Sequence, residues 1–446
     1  MNKNIHIVSL GCPKNLVDSE VMAALLQEGG YHILSRPDDA DIIIVNTCTF
    51  ILPAKEEAIE VIFAMASLKE RGRCRHLVVT GCLPQRYGSA LEKEMPEVDL
   101  FLGINEVPHI VRHIANLEPA GAPASRSVVE KPAFLMNASH PRLLSVPGHR
   151  SYLKIAEGCS NHCSYCVVPL VRGPFRSRHP ADILAEAETL AARGVKEIIL
   201  TAQETTGYGR DLKEKTSLAA LMRDMASVSG IRWIRLLYTH PASMTDEVFR
   251  AMAETEKVCP YLDLPVQHID DAILKSMNRK VDSARIRKLL HNARAAIPGL
   301  ALRTSLIVGF PGEGEAEFNR LLDFVQEARF DHLGAFTYSR EEGTVADRLS
   351  RHVSDAVKET RRNAVMEAQS HISQEINQGL VGREDEIVLE EASDISGYTH
   401  IGRLRRQAPD IDGITYMNAP GREVGDILRC RIVNADIYDL YAEEIV

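Results

Sequence analysis

Glu157-Gly158-Cys159-Ser160-Asn161-His162-Cys163-Ser164-Tyr165-Cys166 sets three thiols on one short loop, at the spacing Cys-x3-Cys-x2-Cys. A structural zinc site closes around its ion with four ligands, and ferredoxin-type cubanes also take four cysteines. Three thiols with no fourth leave one iron of a [4Fe-4S] cluster open to a second molecule. Such a loop suits chemistry as well as electron storage. The aromatic Tyr165, directly before the last cysteine, belongs to the same pattern. Three merely buried or zinc-bound cysteines are the plainer reading, and the spacing disfavours it.

On both sides of this loop, short apolar runs alternate with helical periodicity. Downstream, strands are predicted at 152–156, 195–201, 231–237, 261–264, 300–308 and 332–338, with helices between them such as 181–193, 245–254 and 313–329. Six β/α units predict an incomplete parallel barrel, with function at its C-terminal mouth by analogy with full barrels. A helical connection runs on to about residue 378. From 379 the pattern changes to short strands at 387–389, 399–401, 427–433 and 439–441 between turns, which predicts a small antiparallel β-barrel.

Upstream, strands at 5–9, 41–45, 76–80 and 98–102 alternate with helices at 18–27, 53–69 and 84–95, the pattern of a doubly wound parallel sheet. Cys12, Cys48 and Cys82 each fall just after one of these strands. In a parallel sheet the strand C-termini share one edge, where ligands bind, so the topology is expected to gather the three thiols into a second open iron–sulfur site. Three unrelated buried cysteines would be the bland alternative. Residues 117–150 hold five prolines (Pro119, Pro123, Pro132, Pro141 and Pro147) without periodicity and read as a surface linker. The expected organisation is α/β: a doubly wound domain (1–116), a linker (117–150), the incomplete barrel (151–378) and the terminal β-barrel (379–446).

At 446 residues the chain is too long for one ordinary core. Its 45% hydrophobic and 25% charged composition is that of a soluble protein. No uncharged apolar run approaches the roughly 20 residues that span a bilayer, and the N-terminus has no signal-peptide core. A cytoplasmic protein without a membrane partner is expected, and nine cysteines in it favour metal ligation over disulfides. A net charge of −9 argues against wrapping nucleic acid over the whole surface.

Several strand ends carry polar groups able to line the barrel mouth. These are Gln203 and Glu204 after the second strand, Gln267 and His268 after the fourth, and Arg303 and Ser305 on the fifth. Arg303 needs a partner if buried, either a bound carboxylate or one such as Glu204. His268 reads as a structural histidine. Cys74, Cys259 and Cys430 stand apart and read as structural.

The cysteine loop resembles that of the radical S-adenosylmethionine enzymes, in which the open iron binds the amino and carboxylate groups of the cofactor. Ser9-Leu10-Gly11-Cys12-Pro13-Lys14-Asn15-Leu16-Val17-Asp18-Ser19-Glu20, Asn46-Thr47-Cys48-Thr49-Phe50 and Thr80-Gly81-Cys82-Leu83 are similar to the methylthiotransferases, as is the domain order. Cys12-Pro13-Lys14-Asn15 and Ala408-Pro409-Asp410-Ile411-Asp412-Gly413 resemble the branch that acts on ribosomal protein S-twelve; Tyr165 stands where many relatives have Phe. The resemblance implies two [4Fe-4S] clusters and S-adenosyl-L-methionine, with Tyr165, Gln203, Glu204, Gln267, Arg303 and Ser305 facing the cofactor and no side chain acting as acid or base. It implies a methylthio group added to an aspartate β-carbon, after cofactor cleavage to a 5′-deoxyadenosyl radical. It further implies a flavodoxin or ferredoxin reductant, a sulfur donor and a TRAM-like terminal barrel for substrate recognition. Methylthiolation of a tRNA adenosine next to the anticodon is the same-class alternative. A non-enzymatic iron–sulfur RNA-binding redox sensor is the different-class one.

Charge bears on the substrate. Residues 380–446 hold seven Arg, no Lys and fourteen acidic residues, a net −7. An acidic barrel repels tRNA and favours a basic ribosomal protein. Asp410 and Asp412 are expected among the capturing acids, and Arg403, Arg405 and Arg406 as a small local RNA contact.

Overall fold

The computed structural model describes residues 3–117, 126–145 and 147–445. Its first sheet holds six parallel strands: β1 (Asn4–Ser9), β2 (His32–Leu34), β3 (Ile42–Thr47), β4 (His76–Gly81), β5 (Leu100–Leu102) and β6 (Ser127–Val128), in the order β2-β1-β3-β4-β5-β6. Along β3 the side chains alternate between two cores. Ile42 and Ile44 pack with Val17, Val21 and Leu26 of the helix Pro13–Glu28, while Ile43 and Val45 pack with Ala58 and Ile62 of the helix Leu52–Ala66. Helices therefore cover both faces, as parallel pairing requires. The short edge strands β2 and β6 escape sequence reading because two or three residues carry no periodicity.

The second sheet is also parallel and six-stranded. After β7 (Arg150–Lys154) come the two-residue strands β8 (Ala156–Glu157) and β9 (Arg176–Ser177), which pair only with each other. The sheet then adds β10 (Glu197–Thr201), β11 (Trp233–Leu236), β12 (Val258–Asp263), β13 (Ala301–Val308) and β14 (His332–Thr337), in the order β14-β13-β12-β11-β10-β7. It is an open, partial barrel. Leu302, Leu306 and Val308 face the helices, and Arg303, Ser305 and Ile307 alternate with them towards the inside.

The five strands β15 (Glu384–Ala392), β16 (His400–Leu404), β17 (Thr415–Asn418), β18 (Ile427–Ala435) and β19 (Leu440–Glu444) close into a barrel. Four of the five pairings are antiparallel and one, β17 with β19, is parallel. The parallel pairing follows from β17, a four-residue strand that the sequence pattern does not reveal.

The two outer units grip opposite ends of the partial barrel. The terminal barrel sits at the strand N-termini, where Glu197, the first residue of β10, accepts Arg403 at 2.5 Å and Arg235 at 2.7 Å. Beside it, Arg150 and His149 meet Glu390 at 3.1 and 3.2 Å, and Arg406 meets Asp331 at 2.5 Å. Asp412 accepts the Tyr261 hydroxyl at 2.7 Å, and Asp410 accepts that of Tyr152 at 3.1 Å. These contacts correct two expectations. Asp412 is sealed inside the domain contact rather than free for a partner, Asp410 joins that contact while staying largely exposed, and Arg403, Arg405 and Arg406 are committed inside the protein. Buried guanidinium groups need carboxylates or carbonyls, and the interface supplies them.

The first domain covers the other end, the mouth. Lys154, the last residue of β7, reaches Asp18 at 2.7 Å, and Glu341 beyond β14 accepts Lys55 at 2.8 Å and Arg86 at 2.6 Å. The described part of the 117–150 segment is stitched in rather than draped over the surface. Arg142 is buried between Glu20 at 2.5 Å and Glu186 at 2.8 Å, and Met136 is in the core. Pro119 and Pro123, like Met1, Asn2 and Val446, lie outside the described residues.

Candidate active site

Two groups of thiols meet where the first domain covers the mouth. Cys12 caps the N-terminus of the helix Pro13–Glu28, Cys48 follows β3, and Cys82 opens the helix Cys82–Tyr87 after β4. Because the chain runs from β1 outward to β2 and then back across to β3 on the other side of β1, Cys12 and Cys48 flank the point where the strand order reverses, the usual ligand crevice of such sheets. Gly11 has φ +86°, and a Cβ there would meet the Cys48 Cβ at 2.5 Å, so glycine lets the two loops close on each other. Asn15, fully buried, ties the loops together by donating to the carbonyls of Leu10 at 3.1 Å and Thr47 at 2.9 Å.

Burial pushes the Cys48 thiol up to about 12, helped by the nearness of Cys82 and Cys12, and raises Cys82 as well. Burial acts on Cys12 too, but Lys14, Arg172 and the backbone N–H groups of the helix start carry it below the ordinary thiol range. The raised thiols Cys48 and Cys82, packed beside Cys12, fit a metal cluster, whose positive charge offsets the cost of ionising them.

Cys159, Cys163 and Cys166 lie on the loop between β8 and β9. Gly158 has φ +79°, and a Cβ would run into the Pro174 carbonyl, so the loop turns tightly before its first cysteine. The Cys166 N–H donates to the Cys163 carbonyl at 3.0 Å. Burial raises Cys159, and with the neighbouring Cys163 it pushes Cys166 up to about 12. Among the described residues, no three His, Cys, Asp or Glu side chains are grouped so as to hold a single ion.

Arg172 connects the two triads. From the helix Val168–Arg172, just past Cys166, its guanidinium donates to Asp18 at 2.9 Å, to Asn15 and to the Cys82 Sγ at 3.4 Å, and pairs with Glu157 at 3.4 Å. Val167 and Val171 pack against Cys82. Lys154 lies between the same Asp18 and Glu157, at 2.7 and 2.5 Å. Two cations and two carboxylates thus sit between the thiol groups, almost sealed from water. Burial opposes the Glu157 charge, yet Lys154 and Arg172 carry its carboxyl down to about 2. Sequence reading missed Arg172, although it stands six residues past Cys166; its partners come from the other domain.

The expected cofactor residues divide. Tyr165 and Gln203 belong to the cysteine loop. The Tyr165 hydroxyl is 3.3 Å from Arg279, which also reaches the Cys163 Sγ at 3.5 Å. The Gln203 amide accepts from the Gly158 N–H at 2.7 Å and donates to Glu157 at 2.5 Å. Glu204 accepts from Thr206 and the Gly207 N–H, and lines a cleft of about 250 Å³ with Ser160, Asn161, Phe175 and Arg210. Burial raises its carboxyl. Gln267 adopts φ +72° and exchanges backbone hydrogen bonds with Ser305 and Ile307 at 2.9 and 2.8 Å. Arg303 meets neither Glu204 nor open space; it pairs with Asp263 at 2.8 Å and Asp412 at 3.5 Å. His268 is fully buried against Glu313 at 3.4 Å. Cys74, Cys259 and Cys430 lie in separate cores.

Three family models cover these units in order: Uncharacterized protein family UPF0004 over residues 4–103, the Radical SAM superfamily over 153–325 and the TRAM domain over 381–445. Along its whole length the chain is 58% identical to the ribosomal protein uS12 methylthiotransferase RimO of Syntrophus aciditrophicus, covering 99% of this chain and 98% of that protein. It belongs to the RimO family. The RimO of Geobacter sulfurreducens is 50% identical, over 99% of both chains. Among solved structures, the radical S-adenosylmethionine methyltransferase TsrM from Kitasatospora setae is similar at a TM-score of 0.58 and 14% identity, over 83% of this chain and 89% of that one. At that identity the likeness is one of fold alone.

Membership makes the chain a radical SAM methylthiotransferase that uses S-adenosylmethionine and an iron–sulfur cluster. No helix among the described residues is long and apolar enough to cross a membrane.

Proposed function

We propose that this enzyme methylthiolates the β-carbon of an aspartate in ribosomal protein uS12, using two [4Fe-4S] clusters. One is assigned to Cys159, Cys163 and Cys166, the other to Cys12, Cys48 and Cys82. The observation that carries this reading is the contact of Arg172, from the end of the first thiol loop, with Cys82 of the second group. That contact sets the helix after the first thiol loop against the second thiol group, which suits an enzyme that makes a carbon radical and then quenches it with sulfur.

When bound, the clusters and S-adenosylmethionine supply the radical chemistry that an unactivated aspartate C–H bond demands, since no side-chain base removes that hydrogen at neutral pH. The chain's own residues position and shield. Gln203 fixes the start of the cysteine loop through Gly158, and Arg279 offers positive charge to Cys163. Tyr165, Gln203, Glu204, Gln267 and Ser305 are assigned to the cofactor's pocket. Arg303, already answered by Asp263 and Asp412, is assigned to the wall of the mouth. A flavodoxin or ferredoxin is assigned as reductant, with a separate sulfur donor.

The relatives' name and the charge of the terminal barrel favour uS12 over tRNA. With Asp412 spent on the domain interface, Glu391, Asp394, Glu423, Asp436 and Glu443 still point outward and suit a basic partner.

The test is anaerobic reconstitution of three proteins followed by mass spectrometry of uS12. Wild type should carry about eight irons, from two four-iron clusters, and add a methylthio group to one aspartate. Replacing either cysteine trio by Ala should halve the iron and end modification. Only loss of Cys159, Cys163 and Cys166 should also end 5′-deoxyadenosine release. Full iron in either triple variant, or unmodified uS12 from wild type, refutes the reading.

A further inference from the structure

Of the buried cations around the two thiol groups, two lack a carboxylate: Arg279, which still has the Pro265 carbonyl, the Tyr165 hydroxyl and the Cys163 Sγ, and Lys14. Lys154 and Arg172 share Asp18 and Glu157, and Arg303 has Asp263 and Asp412. Lys14 is just as buried, at 6% exposure. Among the described residues its ammonium makes no ion pair and no hydrogen bond; its recorded partner is the ring of Tyr238, 3.3 Å below it.

Three features make this arrangement costly by itself. An ammonium carries three donors, and among the described residues those of Lys14 find no protein acceptor while its stem is packed away from water. Lys14 also lies in the first turn of the helix Pro13–Glu28, where the macrodipole opposes positive charge. Cation–π attraction returns only about 0.5–2 kcal/mol. The position is nonetheless rigidly held. Tyr238 follows β11 with φ +60°, its N–H donates to Asp263 at 2.8 Å, and its carbonyl accepts from the Thr205 N–H at 3.0 Å. The ammonium is thereby fixed over the Tyr238 ring, two residues from Cys12, with the Tyr238 hydroxyl close enough to feel the charges of Cys12, Asp263, Arg303 and Cys48.

We propose that Lys14 is the specificity-determining residue that anchors the carboxylate of the side chain to be modified, so that an acidic residue is accepted at this site and its amide is refused. This rests on the aspartate reading above and adds the residue that recognises it. The chemistry suits the position: in aspartate the β-carbon is bonded directly to the carboxylate carbon. An anchor at the ammonium therefore fixes the reacting carbon to within one bond, beside the thiol group that begins at Cys12. Thiolates at Cys12 alone would attract Lys14 without filling its remaining donor positions, whereas a carboxylate does both.

The test is binding, with the fully reconstituted enzyme and no reductant. Dissociation constants are measured for uS12 and for uS12 whose modified aspartate is replaced by Asn. Wild type should prefer the aspartate form by about 10- to 100-fold, the range of a hydrogen bond to a charged group. Lys14→Gln should bring that ratio close to one, and Lys14→Arg should keep a part of it. If Lys14 merely balances charge at Cys12, Lys14→Gln lowers iron retention and weakens both forms alike. An unchanged ratio overturns the proposal. Should Lys14→Gln fail to assemble, wild type and Lys14→Arg still decide, because equal binding of the two forms by wild type overturns it too. A wild type that binds neither form brings down the uS12 reading itself, a distinguishable result.

Discussion

The partial barrel has a domain on each end, and the two interfaces are built differently. At the strand N-termini, Glu197, Glu390, Arg235 and Arg403 form a buried network in which every cation has a carboxylate. At the mouth, Asp18, Glu157, Lys154 and Arg172 are matched too, but they lie against thiols, and Lys14 beside them is left without an anion. The lower interface only has to hold. The upper one must hold while leaving room and charge for molecules that come and go. The terminal barrel rests on the strand N-termini, and Asp412 reaches further in, to Arg303, whose other partner Asp263 also holds the Tyr238 N–H.

The contrast is broken most directly at the lower interface. Glu197→Ala leaves two buried guanidinium groups without their shared carboxylate and should cost about 3–5 kcal/mol, read by denaturant unfolding. It should free the terminal barrel to protease without changing iron content. Acid should act on the same network. Burial opposes the charges of Glu197 and Glu390, but Arg403 with Arg235 on one, and His149, Arg403 and Arg150 on the other, hold both carboxyls at about 2. With folded values below the unfolded ones, their stabilisation is complete above about pH 4.5 and drains away as pH falls towards 2. Hydrogen exchange should show the terminal barrel loosening in that window; a barrel that stays protected to pH 2 sinks the assignment.

At the mouth, Arg172→Met should cost less, about 2–3 kcal/mol, because Lys154 still neutralises Asp18 and Glu157. Unlike the lower variant, it should reduce reconstituted iron, since Cys82 loses its buried cation. Equal iron in Arg172→Met and wild type would erase the distinction between the interfaces. A smaller contrast separates two neighbours. The Asp412 side chain is fully buried and that of Asp410 is 63% exposed. Asp412→Asn should cost about 1.5–2 kcal/mol and Asp410→Asn about 0.5 kcal/mol or less, both measured as shifts in unfolding midpoint.

Much of the design is written locally. The spacing of Cys159, Cys163 and Cys166 is a property of ten consecutive residues, so the loop announces itself without any fold. Cys12, Cys48 and Cys82 are further apart, yet strand ends in a parallel sheet fall on one edge by geometry, so the alternation of strands and helices was enough to pair them. Gly11 and Gly158 mark the tight turns in the sequence, although what each would strike belongs to other segments. Net charge was legible as well: the terminal barrel is acidic whatever its fold.

Which charges face outward was not legible. A count of residues treats Asp412 and Glu391 alike, but the first is sealed against Tyr261 and the second is exposed, and only packing separates them. Arg403 looked available for RNA and is committed to Glu197, 206 residues earlier. Arg172 looked like part of a short helix and bridges two domains. An ion pair between distant segments leaves no period and no spacing in the chain, because it forms only once separate elements have been brought together. The sequence by itself determined where the thiols gather. The tertiary structure decided which charged side chains hold the domains together, and which one remains open towards a ligand.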